Sequence, residues 1–169
     1  MEHPKKIEIT RKILYARHNK KSLTFSPTIK MAEKIGIGSV IHSKNTKKKN
    51  SILLDDFKKV NVGNANTAKS LDEGTDIPGL NLAIILSNSS SKTQKTQRLG
   101  RIIRYEEGKE AELFTLVIKG TMEENWYGTS SAGKNYIEIS EEELEKVLNY
   151  NPIDEYVKQA VASDTLFRL

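Results

Sequence analysis

Four side chains near the middle of the sequence carry its clearest chemical pattern. Gln97, Gly100, Arg101 and Arg104 spell Q-x-x-G-R-x-x-R. On a helix, positions 97, 101 and 104 are spaced by four and three residues and share one face. An amide and two guanidiniums then point the same way. A guanidinium is always charged, and its forked donors match phosphate oxygens. Gly100 lets a second backbone or a ligand come close. Such a face suits the outer phosphates of a nucleoside triphosphate held by another domain. An exposed basic helix would show the same two arginines, so the segment needs context.

A second segment, Gly128-Thr129-Ser130-Ser131-Ala132-Gly133-Lys134-Asn135, comes close to the phosphate-loop pattern G-x-x-x-x-G-K-[ST]. Asn135 stands where a hydroxyl is needed to hold magnesium. The segment follows Asn125-Trp126-Tyr127 rather than a buried strand, and it leads into the strand-like Tyr136 to Ile139 rather than a helix. That context fits a polar hairpin loop. No other segment has phosphate-loop spacing, and no Asp-Glu-x-[HD] box is present. His3, His18 and His42 are too scattered to suggest a metal site.

The elements around these residues alternate between strand and helix patterns. Ile7 to Asn19 has helical apolar spacing, and Ser22 to Phe25 reads as a strand. Ser26-Pro27-Thr28 looks like a helix start, with a hydroxyl cap followed by proline in the first turn. Ile29 to Ile35 forms that helix, and Gly36 stops it. Val40-Ile41 is a second strand, Asn45 to Phe57 a helix, and Val60 to Val62 the start of a third strand. Leu80 to Leu86 is the continuous apolar run of a strand buried on both faces. Lys92 to Arg104 reads as helix and Ala111 to Ile118 as strand. Tyr136 to Ile139 reads as an edge strand. Ser140 to Glu143 is a capping box that opens a helix broken by Asn151-Pro152. Asp154 to Phe167 has the spacing of a last helix. The alternation predicts an α/β domain with a mainly parallel sheet.

The bulk properties agree with a single globular unit. The chain has 169 residues, 37% hydrophobic and 29% charged. Its longest apolar runs are too short to cross a bilayer. The first residues show no apolar signal region, and there is no cysteine. Both suit a reducing cytosol, whether of a bacterium or of a phage-infected host. The net charge is +5 and the pI about 9.2. A polyanionic partner is consistent with that charge, as is a merely solvated basic surface. The lysine runs lie early, and Glu138 to Glu145 cluster late.

Upstream of the arginine pattern lies Leu71-Asp72-Glu73-Gly74-Thr75-Asp76-Ile77-Pro78-Gly79. The buried strand, a serine patch and Gln97 to Arg104 follow in order. This succession resembles motifs five and six of superfamily-two DEAD/DEAH-type helicases, in particular the XPB-like and phage-encoded DNA helicases. Ser22 to Ser26 looks like motif four, and Ile41-His42-Ser43-Lys44 resembles the next family segment. Gly108 to Phe114 and Gly120-Thr121-Met122-Glu123-Glu124 look like the strand and T-x-E-E turn after motif six. Coverage runs from about Leu23 to Glu124. The stretch Val62 to Ala68 departs from the family in its richness in asparagine.

The resemblance implies a RecA-like C-terminal motor domain over residues 1–124, with helices on both faces of the sheet, and a small extension over 125–169. It implies that Arg104 is an arginine finger, that Arg101 makes a second γ-phosphate contact, and that Gln97 and Gly100 face ATP. Arginine fingers in phosphoryl-transfer enzymes are worth about 10³–10⁵ in rate. Gly74 and Asp76 match motif-five positions near the nucleotide, where Asp76 can accept from ribose hydroxyls or orient an arginine. ATP and Mg2+ would be held mainly by an N-terminal RecA-like ATPase domain, the expected partner. DNA, or RNA, would be the track, and no membrane is involved. The helix start at Ser26 and Thr28 can hold a backbone phosphate, and it is equally an ordinary cap. Lys44, Asn64, Asn66 and Thr67 are expected at or after strand ends, where α/β sheets place ligands. Three alternatives share parts of this pattern: a non-catalytic nucleic-acid-binding module, a restriction-enzyme motor subunit, and a stand-alone α/β enzyme. The last lacks the glycine-rich turn it would need after the first strand.

Overall fold

The apolar run ending at Leu86 lies at the heart of the fold. In the computed structural model of the chain, the described residues are 3–68, 71, 75–86, 111–125, 136–149 and 166–168. The elements in chain order are α1 (Pro4–Ala16), β1 (Lys21–Ser26), α2 (Ile29–Ile35), β2 (Ser39–His42), α3 (Lys47–Lys59), β3 (Gly63–Ala68), β4 (Leu82–Ile85), β5 (Glu112–Thr115), β6 (Tyr136–Glu138), α4 (Glu141–Asn149) and β7 (Leu166–Arg168). The strands form one sheet in the order β2-β3-β1-β4-β5-β7-β6, and every described pairing is parallel.

Side chains alternate across the sheet and build two cores. Leu82, Ile84 and Leu86 join Phe114 and Leu116 against α1, α2 and α4. Leu23, Ala65 and Ala83 face the other way, onto Phe57 of α3 and onto Ile77 and Leu80. Helices therefore cover both faces, as expected for a parallel sheet. The cores also explain α1. Its N-cap His3 makes no side-chain cap, and its first turn has no acidic residue. Buried Ile7, Ile9, Ile13 and Leu14 hold it instead. Each such side chain contributes about 1.5–3 kcal/mol when fully buried, more than a cap does.

Several boundaries differ from the sequence reading. Ser26 is the last residue of β1, paired in register with Ala68, and does not cap α2. Thr28 is the cap; its Oγ1 accepts from the Met31 N–H at 3.1 Å. Proline thus precedes the cap instead of entering the first turn. β3 begins at Gly63, where the Gly63 N–H reaches the Lys20 carbonyl, and Val60 and Val62 stay exposed. The capping box of α4 forms as expected, with Ser140 N–H to Glu143 Oε2 at 2.6 Å and Glu143 N–H to Ser140 Oγ at 3.2 Å. Tyr136–Glu138 is an edge strand, also as expected. Leu166–Arg168, in contrast, is strand rather than the end of a helix. It pairs with both β5 and β6, so the ladder's hydrogen bonds override the local helical spacing.

Candidate ligand-facing edge of the sheet

Parallel register brings five strand ends to one edge. His42 pairs with Ala68, Ala68 with Ser26, Phe25 with Ile85 and Ile85 with Thr115. The chain leaves β1 towards β2 and leaves β4 towards β5, so the topological switch lies between neighbouring β1 and β4. Open α/β sheets bind their ligands at such a switch, beyond the carboxyl ends of the strands.

Among the described residues, the buried side-chain polar atoms without a hydrogen-bond partner are His3 Nδ1, Ser26 Oγ, His42 Nδ1 and Thr115 Oγ1. Ser26, His42 and Thr115 are the last residues of β1, β2 and β5. His3 precedes α1, which enters at the same edge. An unpaired buried hydroxyl costs free energy in the fold, so such atoms mark places where a partner is expected. Basic side chains line the same edge. Lys44 is exposed in the turn after β2, and Lys47, Lys48 and Lys49 are exposed on the first turn of α3. Thr46 caps that helix, its Oγ1 accepting from the Lys49 N–H at 3.1 Å. Three cations at a helix N-terminus oppose the macrodipole unless an anion is nearby.

One ion pair braces this edge from below. Lys6 is 3% exposed, and its Nζ donates to the Leu86 carbonyl and to Glu123 Oε2, each at 2.6 Å. Burial pushes the Lys6 ammonium below the ordinary lysine value, partly offset by the Glu123 carboxylate. Leu86 is the last described residue before the segment that carries Gln97, Gly100, Arg101 and Arg104.

The expected site residues divide into three groups. Ser26, Thr28 and Lys44 stand at the carboxyl edge. Ser26 is 5% exposed with its hydroxyl unused, Thr28 caps α2 and Lys44 is free of the core. Asn64, Asn66 and Thr67 are spent within the fold instead. Asn64 accepts from Ser22 Oγ and Thr24 Oγ1 and donates to the Ile37 carbonyl at 2.8 Å. Asn66, 0% exposed, donates to the Ile37 carbonyl at 2.7 Å, and Thr67, 1% exposed, to the Thr24 carbonyl at 3.4 Å. The side-chain hydrogen bonds of Asn66 and Thr67 are thus used within the fold. Their asparagine-rich strand builds a polar layer under the turn at Gly38, where an added Cβ would run into the Asn64 carbonyl. Asp76 is exposed just before buried Ile77, on the connection from β3 to β4. Gly74, Gln97, Gly100, Arg101, Arg104 and the Gly128 to Asn135 segment lie outside the described residues.

Two lysines escaped the sequence reading. Lys6 shares the helical stripe of Ile9 and Ile13, and Lys21 is in phase with Leu23 and Phe25 on the α3 face of β1. A lysine in step with an apolar stripe was the available signal. Among the described residues, no group of three or more histidine, cysteine, aspartate or glutamate side chains can hold a metal ion, and no helix is long and apolar enough to cross a membrane.

Comparison with known proteins gives consistent matches. The family model described as helicase conserved C-terminal domain matches residues 5–106. The DNA 3'-5' translocase XPB2 of Sulfurisphaera tokodaii is 35% identical over 119 residues, covering 69% of this chain and 27% of that protein. The chain thus spans about a quarter of that relative's length. Among solved structures, the C-terminal domain of S. cerevisiae Dbp5 superposes with a TM-score of 0.65 at 16% identity, covering 85% of this chain and 89% of that one. Mss116p DEAD-box helicase domain 2, bound to an RNA duplex, gives 0.59 at 23% identity over 88% and 63%. The Pyrococcus furiosus Hef helicase domain gives 0.56 at 26% identity over 77% and 29%.

Proposed function

This chain belongs to the helicase conserved C-terminal domain family, and on that premise we propose that it is the second motor domain of an ATP-dependent superfamily-two DNA translocase. It has a RecA-like parallel sheet, and its similarity to a DNA translocase favours DNA as the track. The observation that carries the reading is the family match over residues 5–106. That span holds both Gly74 with Asp76 and Gln97 with Arg101 and Arg104.

In this reading an N-terminal RecA-like ATPase domain holds the phosphates of ATP and its Mg2+. Closure of the two domains brings Arg104, as the finger, and Arg101 to the γ-phosphate, where fixed positive charge stabilises the transition state. Gln97 and Gly100 line the closed interface, and Gly74 and Asp76 face the nucleotide. Reopening after hydrolysis loosens the grip on DNA and permits a step. Ser26, Thr28 and Lys44, joined by Lys47 to Lys49, form this domain's share of the track. Contacts there go to the phosphate backbone and are insensitive to sequence. The unsatisfied polar atoms and exposed lysines at the carboxyl edge support that assignment. On this reading the protein works in the cytosol.

The test compares ATP turnover by the 169-residue chain with turnover by the same chain joined to its ATP-binding domain. The chain alone is expected to be inactive, and the joined protein to hydrolyse ATP faster when oligothymidylate is added. Robust turnover by the chain alone, abolished by Lys134→Ala, would overturn the proposal.

A further inference from the structure

Lys21 opens β1 at the amino end of the sheet, and it is 0% exposed. Among the described residues no carboxylate pairs with it. Its Nζ donates to the Lys58 carbonyl at 3.0 Å and to the Pro78 carbonyl at 2.7 Å, and it lies 5.1 Å from the centroid of the Phe57 ring. An ammonium has three N–H donors. Two carbonyls and one aromatic face account for all of them. Burial pushes this ammonium below the ordinary lysine value. A buried cation that no described carboxylate pairs is an expensive way to fill space, and an apolar side chain would fill it more cheaply.

The two carbonyls belong to different parts of the domain. Lys58 lies in the last turn of α3, where the negative end of the macrodipole favours a cation. Pro78 lies in the turn between Ile77 and Leu80, both buried against Phe57. The other end of α3 carries Thr46 and Lys47 to Lys49 at the carboxyl edge. The residue leading into the Ile77–Leu80 turn is exposed Asp76.

We propose that Lys21 is a positioning residue that ties the C-terminal end of α3 to the Ile77–Leu80 turn, so that the helix bearing Lys47 to Lys49 and the segment bearing Asp76 move as one body. The idea rests on the motor-domain reading, in which α3 meets nucleic acid and Asp76 faces the nucleotide. α3 spans Lys47–Lys59 without a break, so a displacement of its first turn by a phosphate backbone reaches Lys58. The ammonium passes it to Pro78 through two charge-assisted hydrogen bonds. Coupling of this kind needs a physical element that both sites bias, and a rigid helix clamped at its far end is such an element.

Lys21→Met keeps the aliphatic stem and removes the ammonium. Two measurements follow: hydrogen exchange at the Gly79, Leu80 and Asn81 amides of the 169-residue chain, and ATP turnover by the two-domain protein with and without oligothymidylate. We expect a cooperative thermal transition, and exchange at those amides faster by about tenfold, the loss of one charge-assisted hydrogen bond. We expect the stimulation by oligothymidylate to fall by about the same factor, while unstimulated turnover and the KM for ATP stay the same. Lys21→Arg, which retains a cation, should restore part of both. Should the methionine variant not fold, Lys21→Gln is measured in its place and judged by the same outcomes. Unchanged exchange would overturn the tie, and faster exchange with unchanged stimulation would overturn the coupling. If the unsubstituted two-domain protein shows no stimulation at all, the motor reading fails, while exchange still decides whether Lys21 holds the turn.

Discussion

The two ends of the sheet are built on opposite chemical rules. At the amino end, buried polar groups are satisfied within the fold. Arg17 Nε reaches Glu112 Oε1 at 2.9 Å, Lys20 joins the same carboxylate, and Arg17 also caps the carbonyls of Val147 and Leu148 at the end of α4. Lys21 has its two carbonyls, and the Lys21 backbone N–H donates to Asn81 Oδ1 at 3.0 Å. Asn64 and Asn66 complete the layer beneath Ile37. At the carboxyl end, Ser26, His42 and Thr115 leave buried atoms unused, and lysines crowd a helix N-terminus that disfavours them. One end uses its buried polar groups within the fold, and the other leaves several of its described ones unused. The difference teaches that burial alone does not mark a functional polar residue. What marks it is whether the fold has already used its hydrogen bonds.

Substitutions at the two ends should therefore behave differently. The largest effect is expected from Glu112→Gln, which leaves Arg17 and Lys20 without a counter-charge; breaking such a buried pair costs about 3–5 kcal/mol. Urea unfolding measures it, and a loss no larger than the roughly 1 kcal/mol of a surface pair would erase the contrast. Asn66→Ala should cost about 1–3 kcal/mol by orphaning its buried partners, with oligothymidylate binding kept by the fraction that stays folded.

Smaller stability changes belong to the carboxyl end. Replacing Lys47, Lys48 and Lys49 together by Gln should change stability by no more than about 1 kcal/mol per site, in the stabilising direction. Oligothymidylate binding should weaken, and its log–log salt slope should shrink by about 0.7 for each phosphate that is no longer neutralised. Ser26→Ala should leave the fold as stable as before or about 1 kcal/mol more so, because its buried hydroxyl bonds to nothing in the fold, yet weaken oligothymidylate binding. A stability loss as large as that of Asn66→Ala would show that Ser26 is structural after all.

The smallest effect sharpens the start of α4 at this edge. The Ser140 N–H holds the Glu143 carboxyl below the ordinary glutamate value of 4.5. A depressed carboxylate stabilises the fold above its unfolded value and loses that contribution as pH falls through its folded one. Protection of the α4 amides should thus be constant above about pH 4.5 and decline below it, and Glu143→Gln should remove part of that dependence, leaving the share of Glu141, whose carboxyl Lys5 also holds below the ordinary value.

Much of this layout was legible in the sequence, for identifiable reasons. The run at Leu80 to Leu86 announced a strand buried on both faces, and the alternation of strands and helices announced the parallel sheet. Ser140 with Glu143 announced a capping box that the structure forms. The site was less legible. The sequence suggested that Asn64 and Asn66 stand at or after strand ends, where ligand contacts are common, but both lie inside β3 and bond inward to the Ile37 carbonyl. Pairing in space, not position along the chain, decides which way a strand residue faces. The roles of Lys6 and Lys21 were not legible because their partners, Glu123 and Pro78, lie far along the chain. Leu166–Arg168 has helical spacing locally and becomes strand because β5 and β6 both need a neighbour.

The central claim is that the arginines of this chain complete an ATP site on another domain. Arg104→Ala, made in the two-domain protein, tests it most directly through single-turnover ATP hydrolysis, with oligothymidylate binding measured alongside. The account predicts a fall in hydrolysis of about 10³–10⁵, with binding of the oligonucleotide retained. Unchanged hydrolysis would contradict it and would leave a nucleic-acid-binding module with a motor domain's fold.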